Sequence, residues 1–184
     1  MTRIRAERAS DRAVATIEAA HRMVDLTLII PLLISLLMVA HAGATLALVG
    51  LIWVIQVVQY PLFAAVPSAG FLAFHQGHMR RITWVVAPLM LIEAATAVLL
   101  LVASWRAPEG PIAHLLTPLA VGAALLVVIW IVTFAISVPC HERLSRGFDP
   151  MVHHRLVRTN WLRTAGWTVR GLLALSFLTH APPP

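Results

Sequence analysis

Apolar residues in this chain occur in long runs, and polar residues are concentrated between the runs. A transmembrane helix needs about 20 predominantly apolar residues. Three runs meet this requirement: Ile34–Phe63, Ile82–Trp105 and Ala113–Val138. A fourth run, Trp161–Thr179, is shorter and contains two arginines, but its second half includes the apolar stretch GLLALSFL. The pattern therefore predicts an all-α integral membrane protein. Short connections favour a four-helix bundle with antiparallel neighbours.

The number of spans depends on the first apolar run, which extends from Val24 to Val66. As one helix it would measure about 64 Å at about 1.5 Å per residue, twice the hydrocarbon thickness. Two spans joined at HAGA (41–44) would give five in total and would place nearly every arginine on one side of the membrane. HAGA contains no proline and no polar loop. We therefore favour four spans with an extended first helix and keep five spans as the alternative.

Two further helical segments are predicted outside the apolar runs. Residues 1–23 are a polar, arginine-rich tail with the pattern of an amphipathic helix lying on the membrane surface, ahead of the bundle at 24–184. In GFDP, Asp149 can cap a helix that begins at Pro150. This second segment is predicted to be an interfacial helix before the last span, anchored by Trp161, Trp167 and arginines.

Composition agrees with a membrane protein and excludes other classes. Hydrophobic residues make up 59% of the chain and charged residues 12%, against about 25% charged in soluble domains. The 14 basic residues, all arginine, exceed the 8 acidic ones, but they lie at the ends of apolar runs, where they meet lipid headgroups. We therefore expect a lipid bilayer, the inner membrane of a bacterium, as the surroundings and no nucleic acid as a partner. A single cysteine excludes an intramolecular disulfide.

Glu93 lies near the middle of the second predicted span, where an ionisable side chain is costly. Arg170 lies at a comparable depth in the last span. One interpretation is a Glu93–Arg170 ion pair that fixes the register of two helices. The other makes Glu93 a carboxylate that carries a proton or binds a metal.

Three histidines are candidate ligands of a transition metal. His75 and His78 are spaced i, i+3 and share one face of a helix. His141 follows the third span on the same side of the membrane, so the three can supply three imidazoles. Glu93 would join them only if the segment before the second span folds back, because on a straight helix it lies about 22 Å beyond His78.

Polar side chains on all four predicted helices converge on one level near the histidines. Gln59 lies near the matching end of the first span, and Asn160 and Arg163 open the fourth. Polar groups that face lipid cost hydration free energy, so this convergence indicates an inward-facing site. Asn160 and Arg163 are candidate donors to an anionic or quinone-like ligand.

Three segments between about Gly50 and Leu175 resemble a family of small bacterial integral membrane proteins of unknown function. They are WVIQVVQYPLF, FHQGHMRRITWVVAPLMLIEA and VPCHERLSRGFDP followed by LVRTNWLRTAGWTVR. The first span and the four-span layout are also similar to anthrone-oxygenase-like membrane proteins. That resemblance implies an oxidation of aromatic compounds.

Two functions follow from these observations. The first is a metal-dependent oxidoreductase acting on a lipophilic substrate at the cytoplasmic-side mouth of the bundle. Glu93 and Arg163 would be its catalytic residues, Asn160 and Gln59 would bind the cofactor or substrate, and His75, His78 and His141 would hold the metal. The second is a non-catalytic bundle, an accessory subunit or small transport component with a structural Glu93–Arg170 pair. Oligomeric state stays open.

Overall fold

The computed structural model describes residues 29–179, and within this range every regular element is helical. The long helices are α1 (Ile29–Ala65), α2 (Ser68–Arg106), α3 (Ala113–Leu144) and α4 (Pro150–Thr179). The first three are each long and apolar enough to cross a membrane. The tail at 1–23, predicted to be an amphipathic helix, lies outside the described residues. All packing discussed below lies within the unit Leu37–Pro184.

The helix boundaries bear on three of the sequence-based predictions. α1 continues through 41–44, so the turn required by the five-span alternative is absent from the described part of α1. α2 begins at Ser68 and contains both His75 and His78, so the segment before the predicted span does not fold back. The predicted interfacial helix and the last apolar run form one continuous helix, α4.

The start of α4 is capped as the sequence predicts. Oδ1 of Asp149 accepts hydrogen bonds from the backbone N–H of Met151 at 2.8 Å and of Val152 at 3.2 Å. These bonds satisfy two of the N–H groups that a helix start leaves without partners. Pro150 occupies the first helical position, where its missing N–H costs nothing.

Two helices widen into a π-helical turn that ends two positions before a proline. The turns are Ile55–Gln59 in α1, followed by Pro61, and Thr133–Ser137 in α3, followed by Pro139. Proline cannot donate to the helical ladder and its ring clashes with the carbonyl one turn earlier, so the local pairing has to change. Single π turns occur frequently at functional sites.

Apolar packing inside the molecule occurs in two clusters. One lies at the end where α2 begins and α3 ends and is built around Phe63, Phe71, Leu144 and Leu156. The other lies in the middle of the helices and comprises Leu48, Ile52, Met90, Ala97, Leu126, Ile129 and Trp167. Large apolar side chains also face outward, among them Trp84, which is 79% exposed. An outer surface of this kind is suited to lipid rather than to water.

Glycines on α4 allow close approach of its neighbours. A Cβ at Gly171 would lie 2.9 Å from Cγ2 of Val49 on α1, and a Cβ at Gly166 would lie 2.9 Å from Cγ1 of Ile129 on α3. Small residues at helix contacts are typical of membrane proteins, because van der Waals packing holds the helices together there.

Candidate functional site

Four side chains from three helices and one turn form a continuous hydrogen-bonded chain. Nδ1 of His75 lies 3.2 Å from Oγ of Ser145, and Nε2 of His75 lies 3.2 Å from Nδ1 of His141. Nε2 of His141 lies 2.9 Å from the hydroxyl of Tyr60. Both nitrogens of both imidazole rings therefore have a partner. We call Ser145–His75–His141–Tyr60 the histidine chain.

The histidine chain is held in place by the helix geometry and by aromatic packing. Tyr60 and His141 follow the two π turns, and both are buried, as is His75. The fully buried ring of Phe63 lies edge-on to His75, with 5.5 Å between ring centroids. Nε2 of His153 on α4 hydrogen-bonds the Tyr60 carbonyl oxygen at 2.8 Å. The rings thus have little freedom to turn away from one another.

His78 lies beside the histidine chain but outside it. Its ring centroid is 6.4 Å from that of His141, and its Nδ1 is 3.4 Å from Nε2 of Gln59. His78 and Gln59 are both half-buried. These two predicted site residues are therefore neighbours of each other and of the cluster.

A second polar network joins α1 to α4 next to Tyr60. Asn160, fully buried, donates through Nδ2 to Oε1 of Gln56 at 2.8 Å and accepts at Oδ1 from the Arg163 guanidinium at 2.9 Å. Nε2 of Gln56 in turn donates to the carbonyl oxygen of Val157 at 3.2 Å. Among the described residues Arg163 has no carboxylate within ion-pairing distance, so its charge faces only neutral partners.

A cavity of about 420 Å³ opens beside these networks, between α2 and α3. Its polar end is lined by Tyr60, His78, His141 and Arg163, and the remainder is mostly apolar. The volume falls within the usual range for small-molecule sites. The further lining residues are Ile55, Met79, Ile82, Thr83, Val86, Ala87, Met90, Leu91, Trp130, Thr133, Phe134, Ser137 and Val138.

Three residues that line this cavity carry a buried polar atom with no hydrogen-bond partner among the described residues. The atoms are Nε of Arg163, Nε1 of Trp130 and Oγ of Ser137. Two of them are N–H groups that can only donate, and the third is a hydroxyl. Buried donors are nearly always satisfied, and each exception needs an explanation. Each of these atoms is itself buried, so a ligand with acceptor oxygens would supply one once the side chain turns toward the cavity.

Glu93 lies in a separate polar cluster at the middle of the helices. It forms an ion pair with Arg170, and Arg170 also donates to the Gly122 carbonyl oxygen on α3. Nearby, Nδ1 of His41 hydrogen-bonds Oγ1 of Thr96 at 3.0 Å. The interpretation of Glu93 as one half of a helix-pairing ion pair is thus the one that agrees with its position. The fold-back that would bring Glu93 to the histidines is absent, because α2 is continuous between them, and a catalytic role for Glu93 stays a prediction.

The predicted metal ligands converge, but not on a common point. His75 and His141 direct ring nitrogens at each other rather than at a shared position, and His78 interacts with Gln59. Among the described residues no group of three or more His, Cys, Asp or Glu side chains is arranged to hold a metal ion. The arrangement supports a hydrogen-bonding role for these histidines and gives no support to the predicted metal centre.

Several residues of the site were missed by the sequence reasoning. Tyr60 and Ser145 form the two ends of the histidine chain, and His153 bonds the Tyr60 carbonyl oxygen although it was given no role. For Tyr60 there was a signal, because it immediately precedes a proline in an apolar run, and proline disrupts the helical turn before it. Ser145 directly follows α3, and no sequence pattern pointed to it.

No family model, curated protein or solved structure matches this chain.

Proposed function

We propose that this chain is a four-span protein of the bacterial inner membrane that binds a lipophilic small molecule in the cavity between α2 and α3. The polar end of that molecule carries hydrogen-bond-accepting oxygens. The observation that carries the proposal is the set of unpartnered buried groups on Arg163, Trp130 and Ser137, all of which line one cavity. The fourth span of the proposal is α4, which carries arginines at 155, 158, 163 and 170.

Charge indicates which kind of head group fits. Arg163 brings a buried positive charge to the polar end of the cavity, and its described neighbours do not neutralise it. A buried cation is stabilised by an anion or by an oxygen with high electron density. Quinone carbonyls, phenolates and carboxylates are such acceptors, whereas an ammonium group would be repelled.

The cavity is open to the side of the helices that faces lipid. Leu91 and Phe134 line it and are 61% and 59% exposed. A molecule dissolved in the bilayer can therefore enter between α2 and α3 without crossing water. Its apolar body would contact the aliphatic lining, and its oxygens would reach Arg163 and Tyr60.

The geometry of the histidines gives no support to metal-dependent oxidation. The two buried histidines use all four ring nitrogens in hydrogen bonds, and Glu93 belongs to another cluster. Ligand binding is the part of the predicted oxidoreductase function that the geometry supports.

Binding of 2-decyl-1,4-benzoquinone to the full chain in lipid nanodiscs tests the proposal. Tryptophan fluorescence should be quenched saturably, since Trp130 lines the cavity. Ala87→Phe fills the cavity from α2 and should abolish saturation. Ala95→Phe, on an exposed position of the same helix, should leave it unchanged. Decylbenzene, which has the same tail and no oxygen, should not compete. Equal behaviour of the two variants would refute the proposed site.

A non-catalytic bundle remains the second candidate, and the Glu93–Arg170 pair favours it. That pair, with the Gly122 carbonyl, joins α2, α3 and α4 at one level. An accessory subunit needs such a structural link but no ligand. A well-folded wild-type protein that shows no saturable quenching would favour this candidate.

A further inference from the structure

We infer that the histidine chain relays protons between the water-facing end of α3 and the head group of the bound molecule. The molecule therefore belongs to the class of lipophilic phenols and hydroquinones, whose oxygen gains and loses a proton. The inference rests on the proposed ligand site and assigns that site an activity, proton exchange.

The histidine chain connects a surface turn to the polar end of the cavity. Ser145 is half-buried and directly follows α3, in the turn before the arginine-containing segment of residues 146–158. Tyr60 is 3% exposed and lines the polar end of the cavity. Between these ends lie only the two buried rings, so the hydrogen bonds form a path from the surface turn to the ligand site.

The path can be polarised in either direction with neutral rings. In one state the Tyr60 hydroxyl donates to Nε2 of His141, Nδ1–H of His141 donates to Nε2 of His75, and Nδ1–H of His75 donates to Ser145. In the other state every donor and acceptor is exchanged, with both rings protonated at Nε2. A neutral imidazole has one donor and one acceptor nitrogen, so both states satisfy all four groups.

Protonation of a bound phenolate converts one state into the other. The Tyr60 O–H bond breaks and the proton passes to the ligand oxygen. Tyr60 regains a proton from Nε2 of His141, which receives one at Nδ1 from Nε2 of His75. His75 is reprotonated at Nδ1 from water through the Ser145 hydroxyl. One proton has entered from water and one has reached the ligand, and no electron has moved.

The side chains around the histidine chain favour proton transfer to the ligand. Arg163 lines the same end of the cavity and stabilises a phenolate oxygen before its protonation. His153 holds the backbone of Tyr60. His78 lies beside His141 without a hydrogen bond to it among the described contacts, so it can contact the ligand while staying outside the relay.

A phenol whose ionisation is visible tests the relay. We would bind 4-decyl-2-nitrophenol to the full chain in nanodiscs and release protons in the water by flash photolysis of a caged acid. Only the phenolate form absorbs visible light, so its decay reports arrival of the proton. The signal of the cavity-filled Ala87→Phe protein is subtracted as the contribution of probe in lipid.

Interrupting the histidine chain should slow the decay of the phenolate absorbance without preventing binding of the probe. His75→Phe and Ser145→Ala should each slow it by roughly 100-fold, the lower end of what a positioned proton donor contributes. Ser145→Thr keeps the hydroxyl and should restore the wild-type rate. His154→Gln, at an exposed position of α4, should change nothing.

The outcomes separate the two proposals. Wild-type decay rates in Ser145→Ala and His75→Phe with the probe bound would overturn the relay and leave the binding site standing. If His75→Phe does not fold, the Ser145→Ala and Ser145→Thr pair decides. No saturable binding of the probe or of the benzoquinone by the wild-type protein would overturn the ligand site, and the relay with it.

Discussion

His75 and His141 are hydrogen-bonded to each other through their rings, Nε2 to Nδ1 at 3.2 Å, across the contact between α2 and α3. Both side chains are buried. The second nitrogen of each ring hydrogen-bonds a hydroxyl group, that of Ser145 for His75 and that of Tyr60 for His141. The pair is thus fully satisfied internally. Groups that share partners in this way are energetically coupled.

We expect this coupling to appear in a double-mutant cycle. His75→Leu or His141→Leu alone leaves a buried nitrogen of the other ring without its partner, which costs about 1–3 kcal/mol. The double substitution removes both polar rings and should cost less than the sum of the two. Unfolding in SDS–detergent mixed micelles measures the four free energies. Strict additivity would show that the rings do not interact.

Glu93 and Arg170 should behave as an ion pair whose members cannot be removed singly. Glu93→Gln leaves a buried guanidinium uncompensated, and we expect a loss of about 3 kcal/mol in the free energy of unfolding. Glu93→Met combined with Arg170→Met replaces the pair by apolar groups of similar size and should lose less. The same micelle assay measures both. If the double variant has a lower free energy of unfolding than Glu93→Gln, the Arg170–Gly122 contact contributes more to stability than the ion pair.

The sequence predicted the parts of this protein that depend on local or one-dimensional information. The Asp149 cap follows from a short motif, and the Glu93–Arg170 pair follows from equal depth in two apolar runs. The histidine chain depends instead on how α1 and α3 are rotated about their axes. The π turns before Tyr60 and His141 set that rotation, and 3.6-residue periodicity does not reveal an extra residue in a turn.

Gly171 should not tolerate a larger residue. In Gly171→Ala the new Cβ would lie 2.9 Å from Cγ2 of Val49, a stiff β-branched side chain, so α1 and α4 must separate. We expect a loss of about 1–3 kcal/mol, as for other overpacked contacts. Gly50→Ala is the matched control, because no atom lies within 4 Å of its Cβ. In thermal unfolding in detergent, Gly171→Ala should unfold at a lower temperature than the wild type. Gly50→Ala should unfold at a slightly higher temperature, since alanine favours helix more than glycine does.

The proposed four spans predict which loops share a side of the membrane. In a Cys140→Ser background, cysteines at Glu109 and Arg146 should react with an impermeant maleimide from opposite sides, because α3 lies between them. A reporter fused after Pro184 should lie on the side of Glu109 if α4 crosses the bilayer. Labelling of both cysteines from one side would contradict a membrane-spanning α3. A reporter on the side of Arg146 would place α4 at the surface.

On α1 and α4, the central apolar cluster lies between two polar levels. On α4 the order is Arg163, Trp167, Arg170, and on α1 Ile52 lies between Gln56 and His41. Hydrocarbon without water gives a proton no site to occupy, so we expect this layer to separate the two levels electrically. Under the proposed relay, such a layer would confine proton exchange to one aqueous compartment and leave the proton gradient across the membrane intact.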